Sequence, residues 1–192
     1  MKMLVLGGNG FIGRHFAQCA ASRAGISVSL LSRGQSNQSS LGALEHLVCD
    51  RENADSCRNA LGDRTWDRVV DFSGQNFIRV ANILKTIRTD HYTFLSSSAV
   101  DLAYPGDPYL PMAMEKLWCE SRIEAAFPSL HVRAGFVVGE QDNTDRFENR
   151  DCYWYWRGTT SLVRPVIEVD VLVNTMLTLA IRSSTGIVRA GY

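Results

Sequence analysis

Short apolar runs rich in β-branched and leucine side chains alternate along this chain with longer stretches whose apolar residues recur at helical spacing. That alternation is the sequence form of repeated strand–helix–strand units, and it predicts an α/β fold built on a parallel sheet. Lys2–Leu6 reads as the first strand; Phe11, Ile12, His15, Phe16 and Cys19 mark a helix from Phe11 to Ala24, closed by Gly25. Ile26–Leu31 is the second strand, and GQSNQSS over 34–40 is turn chemistry. His46–Cys49, Arg68–Phe72, Tyr92–Ser96 and Leu130–Phe136 follow as strands, separated by helices expected over Asp55–Leu61, Asn76–Arg88 and Met112–Ala126. Pro105, Pro108 and Pro111 punctuate the loop before the last of these. Beyond Gly139 the character changes. Residues 141–151 are charged and irregular, Tyr153–Trp156 is an aromatic cluster, Val169–Ile181 an apolar helix and Gly186–Ala190 a short strand. The whole predicts a Rossmann-type doubly wound parallel sheet over residues 1–140, with 141–192 as a small C-terminal appendage on the substrate side, packed on the same domain.

The chemistry begins where the first strand meets the first helix. Gly7-Gly8-Asn9-Gly10-Phe11-Ile12-Gly13 carries glycine at 7, 10 and 13, directly after a strand and opening a helix. One such glycine permits the tight turn, one lets backbone approach a pyrophosphate, and one lets the helix lie close to the sheet. A diphosphate there meets unpaired amides and the positive end of a helix dipole, so Gly7, Gly10, Phe11, Ile12 and Gly13 are candidate cofactor contacts. The end of the second strand bears on which dinucleotide binds. NAD-specific domains place an acid there for the ribose hydroxyls, whereas this chain has Leu31-Ser32-Arg33-Gly34. A guanidinium at Arg33 suits a 2′-phosphate, which favours NADP(H) over NAD(H).

Composition adds exclusions. The 192 residues carry 20 basic and 20 acidic side chains, so the chain lacks the basic surplus that binding to a nucleic-acid backbone requires. Five cysteines (Cys19, Cys49, Cys57, Cys119, Cys152) show no paired spacing and read as reduced thiols of a cytoplasmic protein. No stretch reaches the roughly 18 apolar residues of a membrane span. Asp142, Asp145, Glu148 and Asp151 alternate with Arg146 and Arg150, a solvated loop rather than a metal site. The aromatic cluster reads either as a wall for a small ligand or as core or subunit packing.

Taken together, the chain resembles the extended short-chain dehydrogenase/reductase family, the NAD(P)-dependent epimerase/dehydratase group, over roughly residues 1–140. The resemblance rests on the GxxGxxG spacing, Asp50, Asp71-Phe72-Ser73-Gly74, Ser96-Ser97-Ser98, Lys116 and the stretch Arg133–Gly139. The DFSG and CDRE stretches are most similar to its atypical branches, isoflavone-reductase-like and chloroplast-RNA-binding-like. It implies that Asp50 accepts from the adenine amino group, that Phe72, Ser73 and Gly74 line the adenosine side of the groove, and that Ser97 and Lys116 serve catalysis, Lys116 also holding the nicotinamide ribose. It further implies a small-molecule substrate and a homodimer formed through a four-helix bundle of the helices over 76–88 and 112–126, with Leu117, Trp118 and Ile123 either at that contact or on the sheet.

Two departures qualify the expected chemistry. The family's tyrosine stands four residues before the lysine, and that position here is Met112; a thioether neither holds nor delivers a proton. The family's longer substrate region corresponds here to residues 140–192 alone. The sequence therefore leaves two readings: an atypical enzyme (reductase, or non-redox dehydratase, isomerase or cyclase) acting on a small molecule, and a catalytically silent NADP(H)-sensing or scaffold protein.

Overall fold

A computed structural model describes residues 1–34, 41–140 and 165–191. Seven parallel strands form the central sheet: β1 (Lys2–Leu6), β2 (Ser27–Ser32), β3 (Glu45–Val48), β4 (Arg68–Asp71), β5 (Tyr92–Ser97), β6 (Ser129–Ala134) and β9 (Gly186–Ala190), in the spatial order β3-β2-β1-β4-β5-β6-β9. This is the Rossmann order, reversing direction of travel between β1 and β4. Helices cover both faces: α1 (Phe11–Ala21), α2 (Ala54–Leu61), α3 (Phe77–Leu84), the single turn α4 (Ala99–Leu102), α5 (Leu110–Ala126) and α6 (Val169–Ile181). A separate parallel pair joins β7 (Phe136–Val138) to β8 (Val166–Glu168).

The unbroken apolar run of β1 follows from burial on two sides, since successive side chains of a strand face opposite ways. Met3 and Val5 pack under α1 and α6 with Phe16, Leu130, Val132, Leu172 and Met176. Leu4 and Leu6 pack on the other face with Val80, Ile83, Phe94, Cys119 and Ile123, beneath α2, α3 and α5. Residues 165–191 thus supply both an outer strand of the main sheet and a helix over its core. Among the described residues no helix is long and apolar enough to cross a membrane.

Element ends depart from the sequence expectation for local reasons. The first helix stops at Ala21 rather than Ala24, where the Ser22 hydroxyl donates to the Cys19 carbonyl at 2.8 Å. The third helix stops at Leu84 rather than Arg88; Thr86 Oγ1 donates back to the Ile83 carbonyl at 3.1 Å, a side-chain bond that competes with continuation. The expected strand Leu130–Phe136 is two strands. At Gly135 the chain leaves the sheet, and the Phe136 amide donates to Pro165 O at 2.8 Å. The three-residue β8 and the one-turn α4 were too short for periodicity to announce. The loop over 35–40, the acidic stretch and the aromatic cluster Tyr153–Trp156 lie outside the described residues.

Candidate functional site

The switch point between β1 and β4 opens into a groove of about 390 Å³ at the C-terminal ends of β1, β2, β3 and β4. The glycine turn forms its floor. Gly7 adopts φ +77°, and a Cβ there would come within 2.6 Å of the Ser73 Cβ, so only glycine lets the turn lie against the strand-four loop. Gly13 is tighter still, with an added Cβ 2.2 Å from the Gly7 carbonyl oxygen. Above the turn, α1 begins without a side-chain cap and without an acid in its first turn. Its neighbours differ: Asn53 Oδ1 accepts from the Asp55 and Ser56 amides of α2, and Asn76 Oδ1 from the Arg79 amide of α3. The free amides of the α1 terminus, facing a groove, are a place for an anion, and the residues present fit a dinucleotide's diphosphate.

Six of the residues singled out in the sequence come together here: Gly7, Gly10, Arg33, Asp50, Phe72 and Ser73 line the groove. Arg33 is exposed beside Ser32, whose hydroxyl accepts from Asn9 Nδ2 at 2.9 Å. Asp50 is exposed, its Oδ1 accepting from the Glu52 amide at 3.0 Å. Phe72 packs against Phe16, with ring centroids 5.1 Å apart. Phe11, Ile12 and Gly13 contribute the helix start beneath the groove rather than its wall. Gly74 is buried below it, where a Cβ would strike the Phe94 ring at 2.4 Å; its service is close packing.

Sequence reasoning missed the groove's strongest electrostatic feature. The Arg51 guanidinium, buried on the groove wall, grips both carboxylate oxygens of fully buried Asp71 at 2.9 and 2.7 Å and donates to Ser73 Oγ at 2.7 Å. The Tyr92 hydroxyl donates to the same carboxylate at 2.7 Å. Burial opposes ionisation of Asp71, but the charge and hydrogen bonds of Arg51, with Tyr92 and the Ser73 amide, outweigh it and hold the carboxyl below the usual carboxylate range. Burial and the Asp71 charge push the Tyr92 phenol up. The signal was present as an acid directly after two valines in the strand Arg-Val-Val-Asp, which needs a partner where it is buried. Arg79, bound to Glu52 at 2.6 Å, also reaches the groove.

The two candidate catalytic residues lie at the end of β5 and on α5. Ser97 is half-buried, and its hydroxyl accepts from the Ala99 amide at 3.2 Å. Lys116 is buried and lies outside the groove lining; Nζ donates to the Leu95 carbonyl at 2.9 Å and stands 4.6 Å from the Phe94 ring centre. Burial pulls its ammonium below the usual lysine range, against the Asp71 charge. Met112 is one helical turn earlier on the same helix face and 37% exposed. Tyr109 ends the preceding loop, its ring edge-on to Phe136 at 6.4 Å. His15 is engaged away from any acid–base pair in the groove, near the Glu140 carbonyl (3.1 Å) and Asp170 (3.3 Å).

A seven-stranded Rossmann sheet with an anion-receptive helix start at its switch point defines a nucleotide-binding α/β protein. The profile of the NAD dependent epimerase/dehydratase family matches residues 3–101, and the chain belongs to that family. No curated protein matches it. Among solved structures it is similar to the UDP-glucose 4-epimerase of Thermus thermophilus, solved with NAD, at 17% identity and a TM-score of 0.78, covering 100% of this chain and 78% of that one. The Bacillus cereus UDP-glucuronic acid 4-epimerase, solved with UDP-glucuronic acid and NAD, gives 19% identity, a TM-score of 0.78, and 100% and 77% coverage. The Bacillus anthracis dTDP-glucose 4,6-dehydratase, also solved with NAD, gives 15%, 0.77, and 100% and 75%. At such identities the likeness is one of fold.

Proposed function

We propose that this protein binds NADP(H) in the switch-point groove and acts on a small molecule as an atypical short-chain dehydrogenase/reductase-like enzyme. The observation that carries the cofactor reading is the uncapped α1 terminus over the glycine turn, with Ser32 and Arg33 on the groove wall where an NAD-specific domain has an acid. The relatives named above were solved with NAD, which makes the phosphate preference the point to test. The cofactor, when bound, supplies hydride chemistry. Gly7, Gly10 and the first-turn amides of α1 hold the diphosphate, Asp50, Phe72 and Ser73 the adenosine, and Arg33 the 2′-phosphate. Arg33→Ala is expected to weaken NADPH about ten- to a hundredfold, the loss of charge-assisted hydrogen bonds worth about 1.5–3 kcal/mol. NADH binding should be unchanged. Quenching of tryptophan fluorescence by each nucleotide checks it, and equal loss for both would remove the NADP(H) assignment.

Ser97 is the group assigned to polarise a substrate carbonyl, and Lys116 the positive charge beneath the nicotinamide ribose. Neither replaces the phenol that Met112 lacks. This favours a non-redox dehydratase, isomerase or cyclase reaction, or a reductase with a displaced donor, and it supports a second reading in which the protein binds NADP(H) silently and reports it to a partner. Met112→Tyr separates these. It is expected to create or raise NADPH-dependent carbonyl reduction by about tenfold or more, within the range of a positioned general acid. A variant that binds NADPH yet gains nothing would remove Met112 and Lys116 from the reacting site. The exposed apolar residues Met114, Leu117 and Trp118 on α5 and Ile78 on α3 support a homodimer through these helices; Ile123 packs in the core instead.

A further inference from the structure

The loop that closes the adenosine side of the groove is flanked by two cysteines whose sulfurs meet. Cys49 follows β3, its amide fixed to the Ser32 carbonyl at 2.8 Å, and it forms part of the groove wall. Cys57 sits in α2, its amide bonded to the Asn53 carbonyl at 3.1 Å. The Cys49 thiol donates to Cys57 Sγ at 3.4 Å, and Cys57 Sγ lies 3.8 Å from the Asp50 carbonyl. Both are buried in the same apolar cluster. The stretch between them carries Asp50 and Arg51, both on the groove wall.

We propose that Cys49 and Cys57 form a reversible disulfide that senses peroxide and is mutually exclusive with nucleotide in the groove. The hydrogen bond from Cys49 and the Arg51 charge favour a thiolate at Cys57 over the opposing effect of burial, while Cys49 is pushed up and stays protonated. The Cys57 sulfur attacks one oxygen of a hydroperoxide: the S–O bond forms, the O–O bond breaks, and the leaving oxygen takes a proton. Cys49 then attacks the sulfenic sulfur, losing its proton as the S–S bond forms and water leaves. The balance is two thiols and one hydrogen peroxide to one disulfide and two waters. Bonding distance is about 2.04 Å against 3.4 Å between the thiols, so the two sulfurs must draw together and shift the chain that carries them. That movement pulls on the Asp50–Ser56 stretch, which is pinned by the Asp50 amide on Ser56 Oγ at 2.9 Å. A groove shaped for adenosine and a closed disulfide are therefore competing states, and each must weaken the other.

The test uses the intact folded protein. Hydrogen peroxide is added to the folded protein and then removed, the chain is unfolded in denaturant with the alkylating reagent present, and trypsin cuts after Arg51, placing Cys49 and Cys57 on separate peptides. The expected product is the two peptides joined and two hydrogens lighter, cleaved again by dithiothreitol and absent in Cys57→Ala. Cys119, pushed up to about 11 by burial, should stay alkylatable and is the internal control. Separately alkylated Cys49 and Cys57 after peroxide, or joining only in urea, overturns the proposal. The second arm rests on the nucleotide reading above. At NADPH about ten times its dissociation constant, joining should slow about tenfold, because only free protein reacts. Unslowed joining in a protein that binds NADPH overturns the coupling, whereas a protein that joins its cysteines but binds no nucleotide refutes the cofactor reading and leaves the disulfide standing.

Discussion

Asp71→Ala is expected to destabilise the protein by roughly 3–5 kcal/mol, the cost of leaving one half of a buried ion pair without its partner. The substitution strips Arg51 of both carboxylate contacts and Tyr92 of its acceptor, with all three side chains buried. Against a total stability of about 5–15 kcal/mol, that loss lowers Tm by on the order of ten degrees, readable by circular dichroism. The pH dependence follows from the direction of the shift. The folded carboxyl titrates below its unfolded value, so its contribution is complete above the ordinary carboxylate range and is lost as pH falls through the folded pKa. Wild type should therefore shed stability on acidification more steeply than Asp71→Ala. Parallel acid slopes, or an unchanged Tm, would show that the pair contributes nothing to the fold.

Gly13→Ala is expected to cost nucleotide affinity at least about tenfold, equivalent to about 1.4 kcal/mol, together with a loss of stability of about 1–3 kcal/mol typical of overpacking. All three atoms that the new Cβ would meet (Gly7 O at 2.2 Å, Gly7 C at 2.9 Å, Gly8 Cα at 3.0 Å) are backbone, so no side chain can rotate away. The helix must lift off the turn and carry its free amides with it. Gly10→Ala is the control for stability alone, because its Cβ would stand 3.4 Å from the nearest atom, while Gly10 itself lines the groove. Thermal unfolding of both variants checks the stability contrast, and calorimetric titration of wild type and Gly13→Ala with NADPH checks the affinity. Full affinity in Gly13→Ala would mean that the diphosphate does not rest on this helix.

The frame of the fold was legible because its central strands are buried on both faces and its helices on one, so that apolar runs and helical spacing carry the elements directly. β1, α6 and β9 begin and end where the pattern predicts. The glycine turn was legible for a different reason: glycine is required where backbone meets backbone, as Gly7 and Gly13 show. What stayed hidden depends on contacts distant in sequence. Arg51 and Asp71 are separated by 20 positions and look like two ordinary charges until β3 and β4 bring them together. Cys49 and Cys57 lack any spacing motif, yet a strand end and a helix turn join their sulfurs. Lys116 stood out through the family resemblance, and Met112 by its distance from it, but the burial of Lys116 and its bond to the Leu95 carbonyl come from packing under β5.

The β7–β8 pair has a consequence for how such a protein diversifies. Phe136 pairs with Val166 and Val138 with Glu168, and Gly135 passes so close to Pro165 that no larger residue fits. The entry and exit of the intervening residues are thus fastened side by side at the rim where the strands terminate. An insertion between two fastened ends adds little closure entropy, about 0.6 kcal/mol for each doubling of its length. Evolution can therefore lengthen, shorten or rewrite that excursion while the sheet and the glycine turn stay as they are.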